Sequence, residues 1–97
     1  MNSNLLIWIQ EWLAQYCDGN WEHDQNFTIT TIDNPGWGIT IKLVGTRLEY
    51  KNFSPINVEN SETDWFYCTV KDNHFLGDGG VRNLIDMLEI FRNWAGN

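Results

Sequence analysis

The sequence predicts an α+β domain: a four-stranded antiparallel β-meander flanked in sequence by an N-terminal and a C-terminal helix, both packed on the sheet. Three observations lead there. Apolar residues recur at three- and four-residue steps only near the two ends of the chain. Between them lie segments with a two-residue alternation, the period of a strand with one buried face. The connections between those segments are short and rich in turn residues, which favours antiparallel neighbours. A chain of 97 residues fits one domain, 1–97, with a modest core.

The first helix is expected over about 4–16, where Leu5, Trp8, Ile9, Trp12, Leu13 and Tyr16 form one stripe. Ser3 or Asn4 can cap its start, and Gly19 offers a left-handed turn after its end. Phe27 to Ile32 reads as the first strand. Asp33-Asn34-Pro35-Gly36 is a dense turn signal; Pro35 fixes one dihedral and Gly36 permits positive φ, as in a type II turn. Trp37, Ile39, Ile41 and Leu43 then alternate with Gly38, Thr40 and Lys42 in a second strand. After a turn at Val44-Gly45-Thr46, Leu48 and Tyr50 suggest a third strand; if it continues to Val58, Pro55 marks a bulge or an edge. Trp65 to Val70 is the fourth, with Phe66, Cys68 and Val70 on one face and Trp65 and Tyr67 on the other. Asp72 to Gly80 reads as a polar, Gly-rich loop. A second helix follows from Val81, with Leu84, Ile85, Leu88, Phe91 and Trp94 as its stripe. Asp78 stands near its start and Arg92 near its end, as the helix dipole favours. In such a meander the 33–36 turn and the 59–63 loop share one end of the sheet, with Asp33, Glu59, Glu62 and Asp64. The 17–25, 44–46 and 72–80 connections share the other, with Asp18, Glu22, Asp24, Asp72 and Asp78. Both ends are therefore expected to be acidic.

Thirteen acidic residues against six basic ones leave a net charge of −7, which argues against nucleic acid and anionic membranes as partners. No stretch approaches the length needed to span a bilayer, and the start MNSNLLIWIQEW has no basic region of a signal peptide. A cytoplasmic location with free thiols at Cys17 and Cys68 is expected. Six tryptophans are a heavy load for a small core. Four are expected inside and one or two partly exposed, where an indole suits a binding surface.

The densest run of reactive residue types is Cys17-Asp18-Gly19-Asn20-Trp21-Glu22-His23. A nucleophilic Cys–His pair, a metal site and a partner-binding loop all stay open there, beside the plain reading of a helix end with solvated charges. No oxyanion device or paired metal-ligand spacing accompanies it, so neither a catalytic residue nor a metal or other cofactor is expected. Asp33-Asn34-Pro35-Gly36-Trp37 and Asp64-Trp65 each set a carboxylate beside an indole. The candidate partner-binding set is Asp18, Trp21, Glu22, His23, Asp33, Asn34, Trp37, Asp64 and Trp65. The alternatives are a small enzyme or metal protein built on Cys17, Glu22 and His23, or a general protein-interaction module. Gly77-Asp78-Gly79-Gly80 lacks the lysine of a P-loop and the spacing of a dinucleotide fingerprint.

The motifs Cys17-Asp18-Gly19-x-Trp21-Glu22-His23, Thr31-x-Asp33-Asn34-Pro35-Gly36-Trp37, Gly45-Thr46, Asp64-Trp65 and Asn83-Leu84 with Phe91 and Trp94 resemble, in order, the immunity protein 53 family of bacterial polymorphic toxin systems. The resemblance runs from about Leu5 to Trp94. It implies a protein that binds and neutralises a cognate toxin in the cytoplasm by stoichiometric contact, without catalysis. Many toxins of such systems are nucleases with basic surfaces, which an acidic inhibitor complements.

Overall fold

A computed structural model describes residues 2–17 and 26–96. The elements run α1 (Asn2–Ala14), β1 (Phe27–Ile32), β2 (Gly36–Lys42), β3 (Ile56–Glu59), β4 (Trp65–Lys71), β5 (His74–Gly79) and α2 (Leu84–Ala95). The five strands form one antiparallel sheet in the order β1-β2-β5-β4-β3. The α+β class and the flanking helices agree with the sequence reading. The strand count and the simple meander do not.

The additional strand is β5, in the segment expected to be a loop. Asp72 and Asn73 both take positive φ (53° and 57°), the pattern of a two-residue type I′ hairpin, so β4 returns at once as β5. β5 then lies in the centre, between β2 and β4. Its glycines serve packing. A Cβ on Gly77 would stand 3.0 Å from Met87 Sδ, and one on Gly79 would stand 3.0 Å from Met87 Cε and from Phe66 Cβ. Small residues there let α2 lie close on the sheet. Asp78 accordingly sits exposed on β5, and the acidic residue in the first turn of α2 is Asp86.

The expected third strand at Leu48 and Tyr50 is instead a run of turns. Thr46 N–H donates to Leu43 O at 3.0 Å, Glu49 N–H to Thr46 O at 3.2 Å and Lys51 N–H to Leu48 O at 3.0 Å. Leu48 is buried in the core, while Tyr50 turns outward at φ 66° with its N–H on Asn73 Oδ1 at 3.2 Å. The chain crosses to the far side of the sheet, and the third strand starts only at Ile56, just after Pro55.

Directly paired residues share a face, so Phe27, Ile41, Phe75 and Val70 line up on one side, as do Ile29, Ile39, Gly77 and Cys68. This face carries the core, closed by Leu5 and Trp12 of α1 and Met87, Leu88, Phe91 and Ala95 of α2. Leu13 and Ile85, expected in the apolar stripes, are exposed. Aromatic rings knit the helices together. Trp12 meets Phe91 edge-on at 5.3 Å, and Phe91 meets Phe75 at 5.2 Å. Two cations close the C-terminus of α2. The Arg47 guanidinium donates to Ala95 O and Gly96 O and lies 5.3 Å from the Trp12 ring centre. Lys51 Nζ donates to Trp94 O at 2.6 Å. Both complement the negative end of the helix dipole.

Candidate partner-binding site

The strand directions alternate along the chain, so the 33–35 turn, the 60–64 loop and the 80–83 segment meet at one end of the sheet. Between the first two lies a solvent-open cleft of about 680 Å³ lined by Asn34, Pro35, Glu59, Glu62, Thr63 and Trp65, among others. The Asn34–Pro35 peptide is cis and Gly36 does not take positive φ, so the turn is not the expected type II. Gly36 is required for another reason: a Cβ there would lie 2.0 Å from the carbonyl oxygen of Gly79.

The far wall is braced by hydrogen bonds. The Asn60 and Ser61 N–H groups donate to Asp64 O at 3.0 and 3.2 Å, and Ser61 Oγ accepts from Thr63 N–H and Asp64 N–H. Asn83 joins this loop to the helix. Its Nδ2 donates to Asp64 Oδ1 at 3.0 Å and to Asp86 Oδ2 at 2.9 Å, and its Oδ1 accepts from Trp65 N–H at 3.3 Å. Asn60 Nδ2 donates to the second Asp64 oxygen at 3.1 Å. The bonds from Asn83 and then Asn60 hold the Asp64 carboxyl below its ordinary pKa, against the opposing effect of desolvation. Asp64 is thus a fixed negative charge on a fixed loop.

The sequence-derived candidates fall into three groups. Asp33, Asn34, Asp64 and Trp65 stand at this end of the sheet, with Trp65 half-buried in the cleft wall. Trp37 lies at the same end but packs against the core, and its Nε1 donates to Val81 O at 2.8 Å. Asp18, Trp21, Glu22 and His23 lie outside the described residues. Sequence reasoning missed Asn83 as the clamp; its available signal was the position just before a helical stripe. Of the other tryptophans, Trp12 is fully buried, and Trp8 and Trp94 pack against the core.

Of the acidic residues expected at the two ends, Asp18, Glu22 and Asp24 lie outside the described residues, and the described charges are distributed unevenly. Asp33, Glu59, Glu62 and Asp64 occupy the cleft end, with Arg82 the basic exception. Lys42, Arg47, Lys51 and Lys71 gather at the opposite end with Glu49 and Asp72. Among the described residues that opposite end is basic, because the 47–51 turns bring two cations to it.

Among the described residues no three His, Cys, Asp or Glu side chains come together as a metal site. Both cysteines are free, Cys17 exposed and Cys68 buried. Burial, and next the Asp78 charge, push the Cys68 thiol up to about 12. A thiol reagent at mildly alkaline pH is expected to modify Cys17 alone in the folded protein and Cys68 only after denaturation. Cys17 labelling far faster than an unfolded thiol would instead favour chemistry at that residue.

These features define a small α+β domain with one sheet, one helix-covered face and a braced acidic cleft. The family model of immunity protein 53 matches residues 6–96, and the chain belongs to that family. Neither the curated proteins nor the solved structures give a match. Family membership makes this an immunity protein of a toxin system. No helix among the described residues is long and apolar enough to cross a membrane.

Proposed function

We propose that the protein neutralises a cognate toxin by stoichiometric binding, and that the acidic end of the sheet receives a basic surface of that toxin. The observation that carries this reading is the set of four carboxylates around the cleft, Asp33, Glu59, Glu62 and Asp64, which stand apart, among the described residues, from the four cations at the other end. Opposite potentials raise association rates and select partners more than they add affinity. The cleft supplies shape as well as charge, since Trp65 offers part of an indole between Pro35 and the 60–64 loop. A cytoplasmic basic nuclease is the toxin class that this surface suits. Asp18, Trp21, Glu22 and His23 belong to the proposed contact set on the strength of the family motif, together with Asp33, Asn34, Trp37, Asp64 and Trp65.

Glu59 and Glu62 are the cleanest charge probes, because both are exposed on the cleft rim. Replacing both by lysine is expected to weaken binding of the cognate toxin at least tenfold, mainly through a slower on-rate, with a melting temperature close to the parent's. Calorimetric titration and surface kinetics at two salt concentrations read this directly. Unaltered affinity in a folded variant removes the cleft end from the interface.

A further inference from the structure

We propose that the outer edge of β1 is a self-association surface, on which a second copy of this chain adds its own β1 antiparallel to form a continuous ten-stranded sheet. The sheet has two edges, β1 and β3, and they differ sharply. β3 is four residues long, directly follows Pro55 and ends in Glu59, the features that keep an edge from pairing. β1 is six residues, FTITTI, with no charge, no proline and five β-branched residues in succession. Its ladder with β2 is regular from Phe27 to Ile32, without a bulge. Among the described residues nothing pairs with its outer side. The Thr30 hydroxyl turns back on its own strand, 3.3 Å from Thr31 O. Ile29 lies on the helix-covered face yet is 41% exposed, because the sheet stops there.

Two arguments select a second copy as the occupant. The first is register. A two-fold axis perpendicular to the sheet keeps the helix-covered faces on one side when it passes through Ile29 or Thr30. Centred on Thr30, it sets Ile29 beside Thr31 and Thr28 beside Ile32, all uncharged and β-branched. The second is charge. Antiparallel pairing brings the Asp33 end of each β1 to the Phe27 end of the other, next to Lys42 on β2. Among the described residues, this brings Asp33 of each molecule toward Lys42 of its mate, an attraction repeated on both sides of the axis. An interface of one strand pair is small, so the dimer forms and dissociates with concentration.

Sedimentation equilibrium across the micromolar range tests this on the protein alone. The expected result is a mass rising from 11.4 kDa toward twice that value. Thr30→Lys, and separately Ile29→Lys, set ammonium groups opposite or diagonal to one another across the axis. Each is expected to raise the dimer dissociation constant at least tenfold while circular dichroism and the melting temperature stay near the parent's, since both sites are exposed. A chain that stays monomeric throughout overturns the proposal. So does a dimer indifferent to both variants, and so does a monomer whose toxin affinity falls with Thr30→Lys, which would assign the edge to the toxin. The acidic cleft stands or falls separately, because Glu59→Lys with Glu62→Lys alters neither edge residue.

Discussion

Gly36→Ala is expected to be among the most damaging single substitutions in this protein, at about 3 kcal/mol or more of lost stability. The reason is local and geometric. β2 and β5 run antiparallel, and where β2 begins the two backbones converge so closely that a Cβ on residue 36 would stand 2.0 Å from Gly79 O and 3.0 Å from Gly79 C. The obstructing atoms are backbone, so no rotamer change relieves the overlap; the strands must part. Parting them also disturbs Pro35, the next residue along, on the cleft wall. For a domain of this size the melting temperature should fall by about 12–24 °C. Gly38→Ala is the control two residues further on. Its Cβ would meet the Ile32 and Thr30 methyl groups at 3.2 and 3.5 Å, side-chain atoms that can give way, and its cost should stay within about 1 kcal/mol. Thermal unfolding of the pair decides the matter. Equal losses would mean that backbone convergence at Gly36 is not what demands glycine.

The same glycines explain where the sequence was legible and where it was not. β2 could be read because its inner face alternates without interruption through Trp37, Ile39, Ile41 and Leu43. β5 could not, because close packing under Met87 replaces its inner-face side chains at 77 and 79 by hydrogens. A central strand then has the composition of a loop. A finer signal was present: Asp72-Asn73 are residue types that tolerate positive φ, as a two-residue hairpin needs. Leu48 and Tyr50 show the converse, a turn with the pattern of a strand. Two apolar residues two apart match a strand, but the same spacing lets one plug the core while the other points to solvent from a turn.

The shared end of the 33–35 turn and the 60–64 loop was legible despite the missing strand. The crossover from β2 to β3 and the extra hairpin leave the up-and-down alternation of directions intact, so both connections stay at one end. The placement of Arg47 and Lys51 at the other end was not legible, since it depends on how the 47–51 turns fold back over the C-terminus of α2. The alternation within each strand sets Trp65 opposite Phe66, Cys68 and Val70, but whether Trp37 and Trp65 share a side depends on how the strands align. Register settles it: Trp37 aligns with Gly79 and Phe66 on the covered face, which leaves Trp65, one residue before Phe66, on the other.

Asn83→Ala should rank close behind Gly36→Ala, because one buried amide ties three pieces of chain together. Asn83 is 3% exposed and spends its side chain on Asp64, Asp86 and the backbone N–H of Trp65. Truncation leaves the Trp65 N–H without that acceptor and frees the 60–64 loop from the start of α2. A loss of about 2–3 kcal/mol is expected, or roughly 10–20 °C in melting temperature. The pH dependence separates this bond network from simple loss of packing. A carboxyl whose folded pKa is depressed contributes stability above its unfolded pKa, and that contribution disappears as pH falls through the folded value. For Asp64 the loss therefore begins below the usual 3.8, and the bond from Asn83 is the largest cause of the depression. Melting temperatures taken from neutral pH down to about 2 should show the parent losing its advantage over Asn83→Ala in that acid range. A carboxyl titration followed by NMR should show the Asp64 midpoint moving up in the variant. Parallel melting curves with an unmoved midpoint would mean that Asn83 supports the fold by filling space, and that the charge on the cleft rim is set without it.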